Sequence, residues 1–330
     1  MASMITILGA GNMGTALATV LAANGHRVTL WSIEKEVVAD IVQHHRTEKY
    51  LPGIVLSPAI TATTDLATAL ARTRGVLVAV PSSVIEDVAE LVAPDLPERV
   101  PMLSVAKGID VATFRSLPEV IAAACGRRRG MVAGLAGPAV ATEFAQGSPT
   151  AVVVAGAPGV TRFWVRMLRR PMFHVEESRD LLGVSWAACL KNVYAVVLGM
   201  ADGMGFSMNT KALLTTHALR EMATFLARVP ARQGTVYGLA GLGDLVTTGF
   251  SPHGRNRRFG ELICAGAQCD IPAVLKTMTV EGVAAVQVAR AWARKRRLRL
   301  PLLELVGRVC HQGADPTGAL RKYLGVGKPS

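Results

Sequence analysis

The chain opens MASMITILGAGNMGTALA. A short apolar run at residues 4–8 leads directly into Gly9-Ala10-Gly11-Asn12-Met13-Gly14, and an amphipathic stretch follows. This spacing at a strand-to-helix turn has a physical purpose. The first glycine makes the tight turn, the second lets a pyrophosphate approach the backbone, and the third lets the helix pack closely on the strand. The amides and dipole at the helix start then face the phosphates. Placement between strand and helix makes the motif far more specific than its bare spacing. The expected ligand is a dinucleotide.

The same alternation of short apolar runs and longer amphipathic segments continues to about residue 180, as in βαβ units around a parallel sheet. Strands are expected at 4–8, 27–31, 75–80, 100–105, 131–135 and 150–154. Their continuous apolar character fits a sheet covered by helices on both faces. Between them, Asp65 is expected to cap a helix at 66–72, Ser83 one at 84–91 and Thr113 one at 114–125. Beyond residue 180 the segments 184–200, 210–227, 256–266 and 282–295 read as helices with no β-run between them. The expected fold is therefore α/β, a doubly wound sheet in residues 1–183 followed by an all-α domain in 184–330. The last dozen residues, rich in Gly, Pro and Lys, are expected to fray.

Composition supports this and excludes other classes. Of 330 residues half are apolar and 18% charged, which suits two packed domains and rules out a disordered chain, a coiled coil or a small disulfide scaffold. Cys125, Cys189, Cys264, Cys269 and Cys310 are scattered with no C-x-x-C, so neither zinc nor a disulfide framework is indicated and a reducing cytosol fits. The most apolar stretch, 184–200, carries Lys191 and Asn192 in its middle, and no uninterrupted window has the ~20 apolar residues of a spanning helix. The start lacks the basic n-region of a signal peptide. A soluble cytosolic protein is expected. Thirty-six Lys and Arg against 24 Asp and Glu give +12, a balance suited to anionic partners.

Cofactor choice stays open. An NAD site usually ends its second strand with an acid for the ribose hydroxyl, and an NADP site offers arginine. Here the strand ends Leu30-Trp31-Ser32-Ile33-Glu34-Lys35. The acid is late, a lysine adjoins it and no arginine is at hand, so either NAD or NADP remains compatible.

Three cationic features bear on chemistry. Lys191 sits in SWAACLKNVYAVVLG, a helix apolar nearly all round. An ammonium there must be paired, snorkelling to water or working. Asp244, in GLAGLGDL, is flanked by glycines and apolar residues, and a carboxylate beside a buried lysine would keep both charged and aim the ammonium at a carbonyl oxygen. Lys107, in SVAKG at a strand end, is either a ligand-facing lysine or a solvated one. In Gly254-Arg255-Asn256-Arg257-Arg258, the planar fork of arginine suits phosphate. Arg255 and Asn256 are the expected ligands, whereas Arg257 and Arg258 also read as a solvated helix start.

These residues, in this order, resemble bacterial glycerol-3-phosphate dehydrogenase (NAD(P)+) over nearly the whole chain. The segments that carry the resemblance are GAGNMGTALA at 9–18, SVAKG at 104–108, AGPAVATE at 136–143, LKNV at 190–193, GLGDL at 241–245, RNRRFG at 255–260 and VEG at 280–282. The resemblance implies a Rossmann-like domain followed by a helical domain, a homodimer, and a role in supplying glycerophospholipid precursors. It implies reversible hydride transfer between a nicotinamide and C2 of dihydroxyacetone phosphate or glycerol 3-phosphate. It makes Lys191 the general acid/base and Asp244 its electrostatic partner, with Lys107 stabilising the developing charge. Gly137, Lys107, Asn192 and Thr248 would orient the substrate, while Gly254, Arg255 and Asn256 would hold its phosphate. Gly9, Gly11, Asn12, Met13, Gly14, Lys107, Ala141, Arg255 and Glu281 would touch the dinucleotide.

Departures from the family pattern keep a second reading open. Ala139 and Val140 follow Gly-Pro where the family has a hydroxyl and an aromatic or His. Gly254 replaces a Ser, and Gly249 replaces the Cys of a Thr-Cys pair. Lost hydroxyls would weaken phosphate binding or admit a bulkier substrate, so a specialised member acting on another phosphorylated or phosphonate hydroxy-ketone is the alternative. The runs Arg127-Arg128-Arg129 and Arg294–Arg299 also raise a binder of nucleic acid or of an anionic membrane surface. No aromatic cluster accompanies them as base stacking requires, so they read as solvated faces, with no nucleic-acid partner, no metal and no integral membrane association expected. The central expectation is a buried ammonium–carboxylate pair from the helical half, facing the dihydropyridine ring carried by the other.

Overall fold

The computed structural model describes residues 2–127, 130–265 and 271–327. Cys269 and the pair Arg128-Arg129 lie outside them, as does the end expected for the 256–266 helix. By internal contacts the chain divides into two compact units, Met1–Lys107 with Arg115–Leu181, and Leu182–Ser330 with the short excursion Gly108–Phe114.

The first unit is built on one sheet. Its strands are β1 Met4–Leu8, β2 Arg27–Trp31, β3 Ile60–Thr63, β4 Gly75–Val78, β5 Met102–Ser104, β6 Val132–Ala136, β7 Thr150–Ala155 and β8 Phe173–Ser178, in the order β3-β2-β1-β4-β5-β6-β7-β8. The helices between them are α1 Asn12–Ala23, α2 Lys35–His44, α3 Leu66–Leu70, α4 Ile85–Val92, α5 Leu117–Ala124, α6 Ala141–Ala145 and α7 Pro158–Leu168. The order reverses between β2-β1 and β4-β5, the switch at which open α/β sheets bind ligands beside the carboxyl ends of their strands. Both faces are filled. Ile5, Ile7, Val28 and Leu30 pack with Leu17 and Leu21 on one side, while Leu8, Val76, Val78 and Met102 pack with Ile85 and Ile121 on the other.

The sheet corrects the sequence reading in three places. It is parallel only as far as β6, and β7 runs antiparallel to β6 with β8 parallel to β7. The five-residue α6 covers only ~7 Å, too little to carry the chain back along a full strand. β3 and β8 were not foreseen because they are edge strands whose alternate residues face out, so neither shows a continuous apolar run. Asp65 caps α3 as expected, accepting from the Thr68 amide at 2.7 Å. Ser83, by contrast, lies in a 3-10 turn, and α5 starts three residues beyond the expected 114, with Ser116 and Glu119 forming a capping box. Thr113 instead donates to Asp110.

The second unit is helical among its described residues, with α8 Leu181–Gly203, α9 Met208–Leu226, α10 Asp244–Phe250, α11 Arg255–Cys264, α12 Ile271–Thr277, α13 Glu281–Lys295, α14 Pro301–Gln312 and α15 Pro316–Leu324. The chain end expected to fray includes α15, which Asp315 caps by accepting from the Gly318 amide. α8 is the axis of this unit. It is long and apolar enough to cross a membrane, yet Gly183 to Ala201 is buried in protein without a break. Glycines bring α11 against it at backbone distance. A Cβ on Gly199 would strike the Arg257 carbonyl, and one on Gly260 the Val196 carbonyl. Glu221 on α9 caps α14 from a distance, accepting from the Leu302 and Leu303 amides at 2.7 and 3.0 Å.

Candidate active site

In the first unit the predicted dinucleotide residues gather at the carboxyl ends of β1, β5 and β6. Gly9 has φ +109°, open to glycine, and a Cβ there would meet the Ala79 carbonyl at 2.7 Å. A Cβ on Gly14 would collide with the Gly9 carbonyl, so this glycine sets the close packing of α1 on β1. Gly11 differs: a Cβ built on it meets nothing within 4 Å. Gly11 also stands at the N-cap of α1 with no side chain capping the first turn, so the amides from Asn12 and Met13 onward are left for an anion. Open space above the second glycine and an uncapped helix start are what a pyrophosphate needs, and the cradle fits a dinucleotide.

Nearby, Gly137 follows β6 in a left-handed conformation (φ +131°) and Val140 occupies the N-cap of α6. Ala139, Ala141 and Met13 each pack, partly buried, against the same hydrophobic core. Lys107 is half-buried just past β5. At the end of β2, Glu34 is held by Lys49 and Tyr50 rather than by the adjoining Lys35. The hydrogen bond from Lys49, then that from Tyr50, keeps its carboxyl below the usual value.

The second unit assembles the polar residues of the helical half. Lys191, 5% exposed, and Asp244, 3% exposed, form an ion pair at 3.1 Å. Lys191 also donates to Thr248 Oγ1 at 2.6 Å, and Thr248 donates to Asp244 Oδ1 at 3.3 Å. The local chain explains how a carboxylate reaches this depth. Leu239–Gly243 forms a π-helical turn directly ahead of α10, and a Cβ on Gly241 would strike the Val236 carbonyl. The Gly-Leu-Ala-Gly-Leu-Gly sequence therefore lets one turn seat against another and delivers Asp244 at the first position of α10. Thr248 lies one helical turn later on the same face.

A second network adjoins the first through the neighbouring residue. Asn192 donates to Glu281 Oε2 at 3.0 Å and accepts from Asn256 Nδ2 at 2.8 Å, while Asn256 Oδ1 accepts from the Gly282 amide at 2.8 Å. Asn256 is thus 5% exposed with its amide already engaged at both ends, which differs from an open phosphate ligand. Arg255 remains outside, its side chain 60% exposed and tethered to Glu281 Oε1 at 3.6 Å.

Two of the glycines that depart from the family pattern are closely surrounded. Gly254 leaves no vacancy, because a Cβ there would strike the Thr248 carbonyl. Gly249 leaves none either, because Leu198 occupies the position its Cβ would take. Arg257, for which a solvated helix start was one of two readings, is largely buried and donates to Asp202 Oδ2 at 2.5 Å, while Arg258 is exposed beside Glu261. The sequence reading also missed the buried Lys211, which binds the same Asp202 at 2.9 Å and lies over the Phe250 ring. No spacing signal could have joined these residues, which come from three helices.

Some described members of the basic runs have contacts within the protein, although Arg294 is mostly exposed. Arg127 donates to the Leu96 and Pro97 carbonyls, Arg294 reaches Glu304 at 3.7 Å, and Arg296 stacks on Trp292. Among the described residues no group of His, Cys, Asp or Glu is arranged to hold a metal ion.

Comparison with known proteins fixes the family. Residues 4–159 match the family model for the NAD-dependent glycerol-3-phosphate dehydrogenase N-terminus, and residues 180–321 match that for its C-terminus. The chain belongs to this family. The glycerol-3-phosphate dehydrogenase (NAD(P)+) of Nitrosococcus oceani is 37% identical over 315 residues, covering 95% of this chain and 91% of the relative. Isoform 2 from Mycobacterium tuberculosis is 37% identical over 332 residues, covering 98% and 97%. The crystal structure of the Coxiella burnetii glycerol-3-phosphate dehydrogenase superposes with a TM-score of 0.90 at 33% identity, covering 98% of this chain and 99% of that one. As a glycerol-3-phosphate dehydrogenase family member, the chain is an NAD(P)-dependent oxidoreductase with a Rossmann-like unit and a helical unit.

Proposed function

We propose that this protein catalyses the reversible reduction of dihydroxyacetone phosphate to sn-glycerol 3-phosphate with NADH or NADPH, with Lys191 as the proton donor. Two compartments divide the labour, the 1–183 portion binding the dinucleotide and the 184–330 portion binding and protonating the substrate. The observation that carries this reading is the Lys191–Asp244–Thr248 triangle, a buried ammonium fixed at 3.1 Å from a buried carboxylate.

The bound nicotinamide supplies a hydride to C2 of the ketone. Lys191 donates a proton to the C2 oxygen as its negative charge develops, so one hydride and one proton turn the ketone into an alcohol. Asp244 holds the ammonium in direction and in charge, and Thr248 fixes its second hydrogen bond. Lys107 stabilises the developing alkoxide, and Gly137 gives the substrate close access to backbone. Arg255 takes the phosphate, converting binding energy into orientation. Gly254 serves through its backbone, since that position admits no side chain. Asn256 contributes the second hydrogen of its amide, the first being given to Asn192. Asn192 and Glu281 join that pair to the first turn of α13, beside Arg255 and the dinucleotide. Gly9, Gly11, Asn12, Met13, Gly14 and Ala141 line the dinucleotide.

The test is loss of reduced-cofactor absorbance with a substrate panel. Robust turnover of dihydroxyacetone phosphate supports the reading, and its absence alongside turnover of a larger or phosphonate ketone replaces it with the specialised one. The reading also includes a cytosolic homodimer feeding glycerophospholipid synthesis, with no nucleic-acid or integral membrane partner.

A further inference from the structure

Gly108–Phe114 follows Lys107 directly, yet it packs with the helical unit while the residues on either side of it in sequence belong to the first unit. Its two ends are held in different ways. Near the start, the Ile109 amide donates to the Cys189 thiol on α8. Cys189 is fully buried, and desolvation, with Glu281 nearby, pushes the thiol up to about 12, so it stays protonated as a neutral acceptor. Ile109 lies two residues after Lys107, and Cys189 two residues before Lys191.

At the other end, Asp110 Oδ1 accepts from the Thr113 amide and hydroxyl at 2.7 and 2.6 Å, winding a turn that closes with Phe114 N on the Asp110 carbonyl at 2.9 Å. Phe114 itself has φ +57°. For a bulky side chain this is a true outlier, which persists only where surrounding contacts demand it and which concentrates at functional sites. The contacts are specific. The Phe114 ring meets Trp292 edge-on at 5.3 Å, Trp292 packs on Trp186 at 5.5 Å, and Lys295 lies over Phe114 at 4.5 Å. Arg296 lies over the Trp292 ring at 3.4 Å. Two members of the basic run, Lys295 and Arg296, thus lie as cations on this aromatic clamp.

We propose that Phe114 and Trp292 are positioning residues for Lys107: the clamp, with the Ile109–Cys189 bond, holds the strap that begins at the residue after Lys107 and so fixes the backbone from which its ammonium projects. The Lys295 and Arg296 cations add to the clamp rather than to any polyanion site. The kinetic part of the test rests on the proposed reduction, whereas the labelling part does not.

Phe114→Gly is the informative variant, because glycine accepts the backbone conformation at this position while removing the ring. Lysine acylation followed by peptide mass spectrometry should show Lys107 labelled several-fold faster in Phe114→Gly and in Trp292→Leu than in the parent, with exposed Lys35 unchanged as control. Phe114→Tyr should restore the parent rate. Unchanged labelling of Lys107 in both variants overturns the proposal whatever the substrate. With dihydroxyacetone phosphate, Phe114→Gly should lower kcat/KM on the order of tenfold to a hundredfold with the dissociation constant for reduced cofactor unchanged. In a Lys107→Ala background the same change should have no further effect. An equal loss in both backgrounds would make Phe114 a structural residue only, and the proposal would fall.

Discussion

The two polar sites of this chain are built on opposite principles. The dinucleotide cradle is made of backbone: Gly9, Gly11 and Gly14 act through the side chains they lack, within six consecutive residues. The Lys191 site is made of side chains brought from α8, α10, α11 and α13, and the α8 residues find partners as far as 89 residues away, as between Asn192 and Glu281. A cradle of the first kind is a local conformational requirement. A cluster of the second kind exists only once a core has formed around it, and each charged member depends on its partner to remain in the interior.

The sharpest break comes at Lys191. Lys191→Ala should lower kcat by about a thousandfold, the range of a lost general acid, with cofactor affinity intact by fluorescence titration. An active variant would remove Lys191 from the chemistry. Asp244→Ala should follow, costing ~3–5 kcal/mol of stability in urea denaturation by taking the counter-charge from a buried ammonium, while Asp244→Asn should retain the fold and lose turnover.

The cradle should respond differently. Gly11→Val projects into open space, so the melting temperature should hold while the dissociation constant for NADH or NADPH rises at least about tenfold. A large stability loss would show that the space is structural. Arg255→Ala should chiefly raise the KM for dihydroxyacetone phosphate, by the equivalent of ~1.5–3 kcal/mol for a charge-assisted phosphate bond.

The smallest effect concerns pH. Burial raises the Glu221 carboxyl above its usual value despite the two α14 amides and the Tyr194 hydroxyl it accepts from. The folded state therefore binds this proton more tightly than the unfolded chain. The resulting stability is fully present below the unfolded value near 4.5 and is lost as pH rises through the folded one. Urea midpoints of the parent relative to Glu221→Gln should shift against the parent as pH increases across that window; a constant difference would contradict it.

The same contrast explains what could be read in advance. The glycine turn between β1 and α1 was legible because its determinants are contiguous, and β1 and β2 were legible because both faces of a central strand are apolar. Lys191 stood out as a charge within a helix apolar on every side. The filling of the Gly249 position by Leu198, the sharing of Asp202 by Lys211 and Arg257, and the remote capping of α14 by Glu221 were not legible. Each depends on which residues of distant helices meet, and the sequence marks the polarity of those residues without their pairing. Ser83 and Thr113 failed as caps for a related reason: both are competent cap residues, but the capping box at Ser116 and the 3-10 turn at 82–84 used the chain differently.

The strap at 108–114 bears on how this protein can be dissected. The chain passes from one compact unit to the other three times, at 107/108, 114/115 and 181/182. A recombinant fragment starting at residue 182 would lack the seven-residue plug that covers Trp292 and hydrogen-bonds Cys189. Grafting the helical half onto a foreign nucleotide-binding scaffold would require transplanting that plug along with it.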